Sequence, residues 1–501
     1  MKPLTLLRLS LAGTRTDVLR VLLTAVSALL ATLAILAALT VLAIRTPVTE
    51  FVGGSDSWSQ QYASPLLREP GLRGGTALAL ILLTIPILAL AGQCGRLGAP
   101  ARERRLAGFR LAGATPGQAI LIAVAETGVA ALLGSLAGLG AYLAGRQLLD
   151  RPDANGQLAL PTDVLPATPA LVATVVGLPL LAAAATALLM RRVTVGPFGV
   201  VRRAPRLRAP RPWPGVLIAI GFALFAGLLP FARWYSTDDR ELPPVALPLA
   251  MFGGTLLAAT GAILGAGWIS YTVGRILLRH GRRPAALLAA RRLVADPWSG
   301  SRTLAALLAC VLFGGGAVGV RAWIGAERSL QEDANRASSA EQGVEYIPDD
   351  NSFYTNTLDL VDLAVWVGVL IAAAGLIVAL AEGIVSRRRT YATLVATGVP
   401  RRTLAGAILW QMAAPAVPAI ALALAVGAAL PRGIATEVRA GETSCVDNVC
   451  TDLPEVTRAV PILWGDLLSF GGGGVLAVLA MTAVGLLFLR GSTSVEELRV
   501  G

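Results

Sequence analysis

The sequence predicts an all-α polytopic membrane protein, and three observations predict it. Of its 501 residues, 55% are hydrophobic and 15% charged, with a mean hydropathy of +0.66; a soluble domain carries roughly a quarter charged residues. The apolar residues are gathered into uninterrupted runs of the length a bilayer requires, about 20 residues for about 30 Å. Threading those runs back and forth segregates the basic residues to one side.

Ten runs define the predicted transmembrane helices: Val21–Ile44, Gly75–Gly95, Ala119–Gly145, Pro169–Met190, Gly215–Ala232, Val245–Val273, Leu304–Val320, Leu358–Ile384, Ala405–Leu430 and Leu467–Leu489. The seventh is the shortest and contains Gly314, Gly315 and Gly316. The first is too long for the apolar region of a signal peptide and is expected to stay in the mature chain. With both termini in the cytoplasm, 30 of the 43 Lys and Arg residues fall on the inner side. An odd error in the span count would scramble this separation. The expected location is therefore a bacterial cytoplasmic membrane, crossed an even number of times.

Composition excludes several chemistries. Lys2 is the single lysine, so no P-loop lysine exists to reach a nucleotide's phosphates. The single histidine, His280, rules out HExxH zinc sites and His-paired nucleophiles; it is read as a solvated loop residue. No catalytic residue and no metal-ligand set is predicted. The net charge of +12 invites a nucleic-acid reading. No zinc-finger, RNP or basic-aromatic motif accompanies the arginines, so no nucleic-acid partner is expected.

Of the four cysteines, Cys94 and Cys310 lie in or beside spans as apolar fillers. Cys445 and Cys450 fall in the last outer loop, where an oxidising compartment favours a small disulfide that stiffens the loop; two free thiols are the alternative.

Two inner segments read alike. One runs Arg102-Glu103-Arg104-Arg105-Leu106-Ala-Gly-Phe109-Arg-Leu-Ala-Gly113-Ala114-Thr-Pro116, the other Arg387-Arg388-Arg389-Thr-Tyr391-Ala-Thr-Leu394-Val-Ala-Thr-Gly398-Val399-Pro400. A shift of 285 superposes Arg102 on Arg387, Arg104 on Arg389 and Gly113 on Gly398. Leu106, Phe109 and Gly113, like Tyr391, Leu394 and Gly398, fall at i, i+3, i+7, one stripe of a helix. Each short helix opens on arginines and stops at a glycine, where a left-handed cap costs little. Pro116 or Pro400 then blocks continuation. Spans one to four and seven to ten thus read as two copies of one unit in parallel orientation, with spans five and six between them. The expected divisions are 1–190, 191–285 and 286–501. By physics alone the paired short helices are either interfacial helices on lipid headgroups or docking elements for a cytosolic partner.

The first string, followed by an apolar span holding Glu126, resembles the FtsX-like permease domain of ABC transporters, as in the MacB type. The second string resembles it too, with Gln411 where Glu126 sits in the first. The resemblance implies a non-catalytic permease subunit with two four-helix units. It implies no cofactor on this chain, since ATP and Mg would sit on a separate cytosolic ABC ATPase. It makes the helices at about 102–114 and 387–399 the coupling elements, and two of them on one chain imply two ATPase copies per permease. Carried over residue by residue, the coupling positions are Arg102, Glu103, Arg104, Leu106, Phe109, Gly113 and Ala114, then Arg387, Arg389, Tyr391, Leu394, Gly398 and Val399. Membrane lipid and an accessory protein on the outer face are the further partners expected. The implied work is export, or mechanotransmission, for an amphipathic, lipid-like or peptide substrate. The outer segment of about 321–356, the longest, is too short for a separate domain.

Glu126 is costly in a bilayer unless paired or hydrated. One reading is a proton or substrate site. The preferred one is a structural partner of Arg104, Arg105 or Arg110, because the second copy holds neutral Gln411. Two other functions fit the same sequence: an ion-coupled secondary transporter, and a scaffold relaying ATPase motion to an outer-face enzyme.

Overall fold

The computed structural model describes residues 15–45, 49–51, 54–56, 59–94, 105, 108, 111, 113–191, 209–235, 246–341, 343–345, 352–385, 387–434, 436–440, 443–446, 449–452 and 456–491. The chain is an all-α polytopic membrane protein. Among the described residues, nine helices are long and apolar enough to cross a bilayer. They are α1 (Arg15–Leu42), α3 (Pro70–Cys94), α4 (Pro116–Leu149), α5 (Thr168–Arg191), α7 (Ala246–His280), α9 (Pro297–Glu341), α10 (Ser352–Val385), α12 (Arg401–Ile434) and α13 (Trp464–Gly491). The fifth predicted run forms helix α6 (Pro214–Tyr235), whose apolar stretch Pro214–Gly227 is shorter. The short helices are α2 (Pro65–Arg68), α8 (Pro284–Ala295) and α11 (Arg388–Ala396).

The chain divides into two compact units: residues 1–207, 370–398 and 485–501 form one, and residues 208–369 and 399–484 the other. In the first unit α1 packs against α3, α4 and α5. With little hydrophobic drive between helices inside a bilayer, close backbone contact supplies the adhesion. A Cβ on Gly134 would collide with the backbone of Ala25, and one on Gly138 would lie 2.9 Å from the Leu29 carbonyl oxygen. Several hydroxyls are satisfied within the helices, as where Thr24 donates to the Arg20 carbonyl at 2.8 Å and Ser27 to Leu23 at 2.8 Å. At the C-terminal end of α1 a polar cap closes the bundle. Buried Arg73 donates to the carbonyls of Leu67, Ile44 and Arg68 and to Ser59 Oγ. Fully buried Tyr62 donates to Asp163 at 2.7 Å. Burial, aided by the neighbouring carboxylate, raises the Tyr62 phenol above its usual pKa, so it keeps its proton and the donor role.

In the second unit α9 and α12 approach as closely as α1 and α4 do: a Cβ on Gly315 would lie 2.9 Å from the Leu424 carbonyl oxygen. Helix α8 buries Ala286, Ala289, Ala290 and Leu293 and packs on α7 and α12.

The sequence and the structure differ most at α9. The run expected to be the shortest belongs to a 45-residue helix, and the expected loop from Arg321 continues it to Glu341. No proline interrupts this stretch. Ala322, Ala326 and Leu330, four apart, form a buried stripe with Val438 and Val460. Val438 belongs to strand β3 (Glu437–Ala440), which pairs antiparallel with β6 (Val456–Ala459). Arg458 fastens the hairpin to the helix through Ser329 (2.6 Å) and Asp333 (2.7 Å). Within it, β4 (Thr443–Val446) pairs with β5 (Val449–Asp452). A further small pair, β1 (Thr49–Phe51) with β2 (Gly54–Asp56), follows α1.

One smaller expectation is also corrected. His280 is not in a loop: it is the last residue of α7, exposed, with Nδ1 3.2 Å from the Ile276 carbonyl. Inside α10, Asp359 and Asp362 face Arg321 of α9 at 3.5 and 2.5 Å.

Candidate coupling elements and two polar nodes

Helix α11 joins α10 to α12 and is nine residues long. Tyr391 and Ala392 are buried, Leu394 is half-buried, and Thr390, Thr393, Ala396 and Thr397 are exposed. The exposed residues recur every three to four positions, so they share one face. The helix ends at Gly398, whose φ of +93° leaves the right-handed region, with its N–H donating to the Val395 carbonyl at 3.0 Å. That conformation costs an L-residue with a Cβ but not glycine. Of the second set of predicted positions, Arg387, Gly398 and Val399 are at least partly accessible, and the side chain of Arg389 lies outside the described residues. Tyr391 is 3% exposed, so it anchors the helix and cannot meet a partner without moving.

Of the first set, Arg102, Glu103, Arg104, Leu106 and Phe109 lie outside the described residues; Gly113 and Ala114 are described. Gly113 has φ of +92°, within a degree of Gly398, its counterpart 285 positions on. Thr115 then caps α4: its hydroxyl accepts from the Gln118 N–H at 3.3 Å, and the Gln118 side chain accepts from the Thr115 N–H at 3.0 Å. A capped helix start therefore follows the glycine within two residues.

Each unit holds a buried polar node among the described residues. Glu126, 6% exposed on α4, accepts from Arg105 at 3.0 Å and pairs with buried Arg20 of α1. One carboxylate thus ties the first span, the third span and the segment before Gly113. Arg105 was among the partners considered from sequence. Arg20 was not, because 106 residues separate it from Glu126 and only the close packing of α1 on α4 unites them. In the second unit Gln411 of α12, 8% exposed, receives Arg292 Nη1 of α8 at 3.5 Å. The two nodes differ in kind: a carboxyl group between two guanidinium groups, and a neutral amide facing one.

Cys445 and Cys450 are direct cross-strand partners in the β4–β5 register. Opposed antiparallel residues have Cα atoms about 4.5–5.5 Å apart, inside the range a disulfide spans. Their side chains lie outside the described residues. Cys310 is a buried free thiol. Among the described residues no three His, Cys, Asp or Glu side chains gather as metal ligands.

Residues 363–493, which include α11 and Gln411, match the family model of the FtsX-like permease C-terminal domain. No curated protein and no solved structure matches the chain. The matched stretch is about a quarter of the chain, and it supports reading the protein as an ABC-transporter permease of the FtsX-like family.

Proposed function

We propose that the chain is the membrane subunit of an ABC transporter whose ATP hydrolysis occurs on separate cytosolic ATPase chains, with ATP and Mg bound there. The observation that carries this is α11 itself: a short helix with an exposed polar face and a left-handed glycine stop, joining two spans inside the FtsX-like match. The matching φ of Gly113 supports a second such element at about 102–114, and hence two four-helix units (1–190 and 286–501) around a middle segment at 191–285. Two ATPase copies per chain follow. The arginine-rich segments favour a cytoplasmic side for both elements and both termini, in a bacterial cell.

ATPase closure then moves α10 and α12 through α11, and α4 through the segment before Gly113. The work done is export, or mechanotransmission to the outer face, for an amphipathic, lipid-like or peptide substrate; an accessory protein there is a natural recipient. The length of α9 and its hairpin favour mechanotransmission, because they extend a moving span beyond the bilayer. Glu126, paired with two arginines, is assigned a structural role. A secondary transporter would need a carboxylate free to load a cation, which this arrangement does not favour.

Gly113→Pro and Gly398→Pro test the assignment, since proline fixes φ near −65° and both positions require positive values. The single variants are expected to copurify with one ATPase copy and the double variant with none. Retained ATPase binding and activity in the double variant would overturn the docking elements. A purified complex with two permease chains and two ATPase chains would overturn the two-site reading alone.

A further inference from the structure

The turn joining α7 to α8 carries a charge that nothing in the proposed function uses. Arg275, Arg279, Arg282, Arg283 and Arg291 are all exposed. The chain holds no acidic residue between Glu241 and Asp296. None of the five has an ion-pair partner among the described residues. Five exposed guanidinium groups therefore lie along the end of α7, the turn and α8, with no ion-pair partner among the described residues.

Their surroundings say what compensates them. Exposed Ile276 and Leu278 (53% and 38%) interleave with Arg275 and Arg279 on the last turns of a membrane-length helix. Arg275 lies five residues, roughly 7.5 Å, before the end of that helix. A side chain at this depth lays its methylenes along acyl chains and lifts its head to the phosphate level. Guanidinium groups also bind phosphate bidentately. The apolar face of α8 is already buried on α7 and α12, so the helix is held by protein and its arginines are left to the headgroups.

We infer that the α7–α8 corner, through Arg275, Arg279, Arg282, Arg283 and Arg291, is a binding site for anionic phospholipid headgroups. Because Arg292 of the same short helix reaches Gln411, a lipid seated there also steadies the polar node of α12.

The test reconstitutes the full-length chain in bilayers of phosphatidylcholine with phosphatidylglycerol in both leaflets. The readout is the association of spin-labelled phosphatidylglycerol relative to spin-labelled phosphatidylcholine. The protein should prefer the anionic label, and Arg279→Gln/Arg282→Gln/Arg283→Gln should lower that preference about tenfold or more, since each arginine near a charged surface contributes about a fivefold bias. Arg202→Gln/Arg203→Gln/Arg206→Gln, in the middle basic segment, should leave most of it. Unchanged preference in the first variant, or equal loss in both, overturns the site. Should the first variant not fold, photoactivatable phosphatidylglycerol on the unaltered protein decides: adducts within 275–291 support the site, and adducts confined elsewhere overturn it. Loss of a copurifying acidic protein without any change in lipid preference assigns the arginines to that protein and also overturns it. Both leaflets being alike, the outcome does not depend on the membrane orientation proposed above.

Discussion

Replacing Glu126 with alanine leaves two arginines around a site that no longer holds an anion. Arg20 and Glu126 side chains are 5% and 4% exposed, so their charges interact away from water, whereas Arg105 at 19% can turn outward. Removing one partner of a buried pair costs about 3–5 kcal/mol, and a rim pair adds little. For a unit of this size each kcal/mol lowers the melting temperature by about 2–4 °C, which predicts a drop of about 10 °C for Glu126→Ala. Glu126→Gln keeps an acceptor oxygen and should lose about half as much. Arg20→Met in the Glu126→Ala background removes the cation that faced the carboxylate, fills its volume, and should recover part of the loss. The assay is thermal unfolding of the detergent-solubilised full chain, followed by size-exclusion chromatography after each heating step. Glu126→Ala melting with the unaltered protein, or strict additivity with Arg20→Met, would refute the node as a structural tie. Transport assayed across pH gives an independent check. Glu126→Gln should show the same pH profile as the unaltered protein, and a pH-dependent loss would make Glu126 a proton carrier instead.

Two further outcomes follow from packing and register. Gly315→Val should destabilise the second unit by about 1–3 kcal/mol, because its Cβ would press on the Leu424 carbonyl; Gly325→Ala, where a Cβ meets nothing within 4 Å, should melt unchanged. Mass spectrometry of the chain purified from membranes without reductant should find Cys445 joined to Cys450, and two alkylated thiols in a tryptic fragment would refute the pairing drawn from the strand register.

Much of the membrane architecture could be read from apolar run length, because a bilayer leaves backbone groups no partner but their own helix. The stops at Gly113 and Gly398 were also legible, since glycine followed by proline within three residues signals a helix end in local chemistry alone. Arg20 could not be foreseen as a partner of Glu126, because that contact exists only once Gly134 and Gly138 let α1 and α4 touch. Tyr391 looked like a docking residue since sequence gives the spacing of a stripe but not the side it faces; in the structure the buried side holds Tyr391 and the open side holds Thr390, Thr393 and Thr397. The outer half of α9 was missed for a related reason. Its stripe of Ala322, Ala326 and Leu330 is faint, and it becomes an apolar face only when Val438 and Val460, more than 100 residues later, cover it.

The reach of α9 changes the scale of any movement in the bilayer. Its 45 residues span roughly 67 Å, about twice the hydrocarbon thickness, so the stretch from Arg321 to Glu341, past the expected span, runs on for roughly 30 Å. A rod that long converts a swing of about 10° at the membrane surface into a sweep of roughly 5 Å at its tip. Arg458 bolts the hairpin to the same rod, so the two sweep together. In the proposed mechanotransmission this rod would act as an amplifier, turning small angular strokes at one end into ångström-scale displacements at the other.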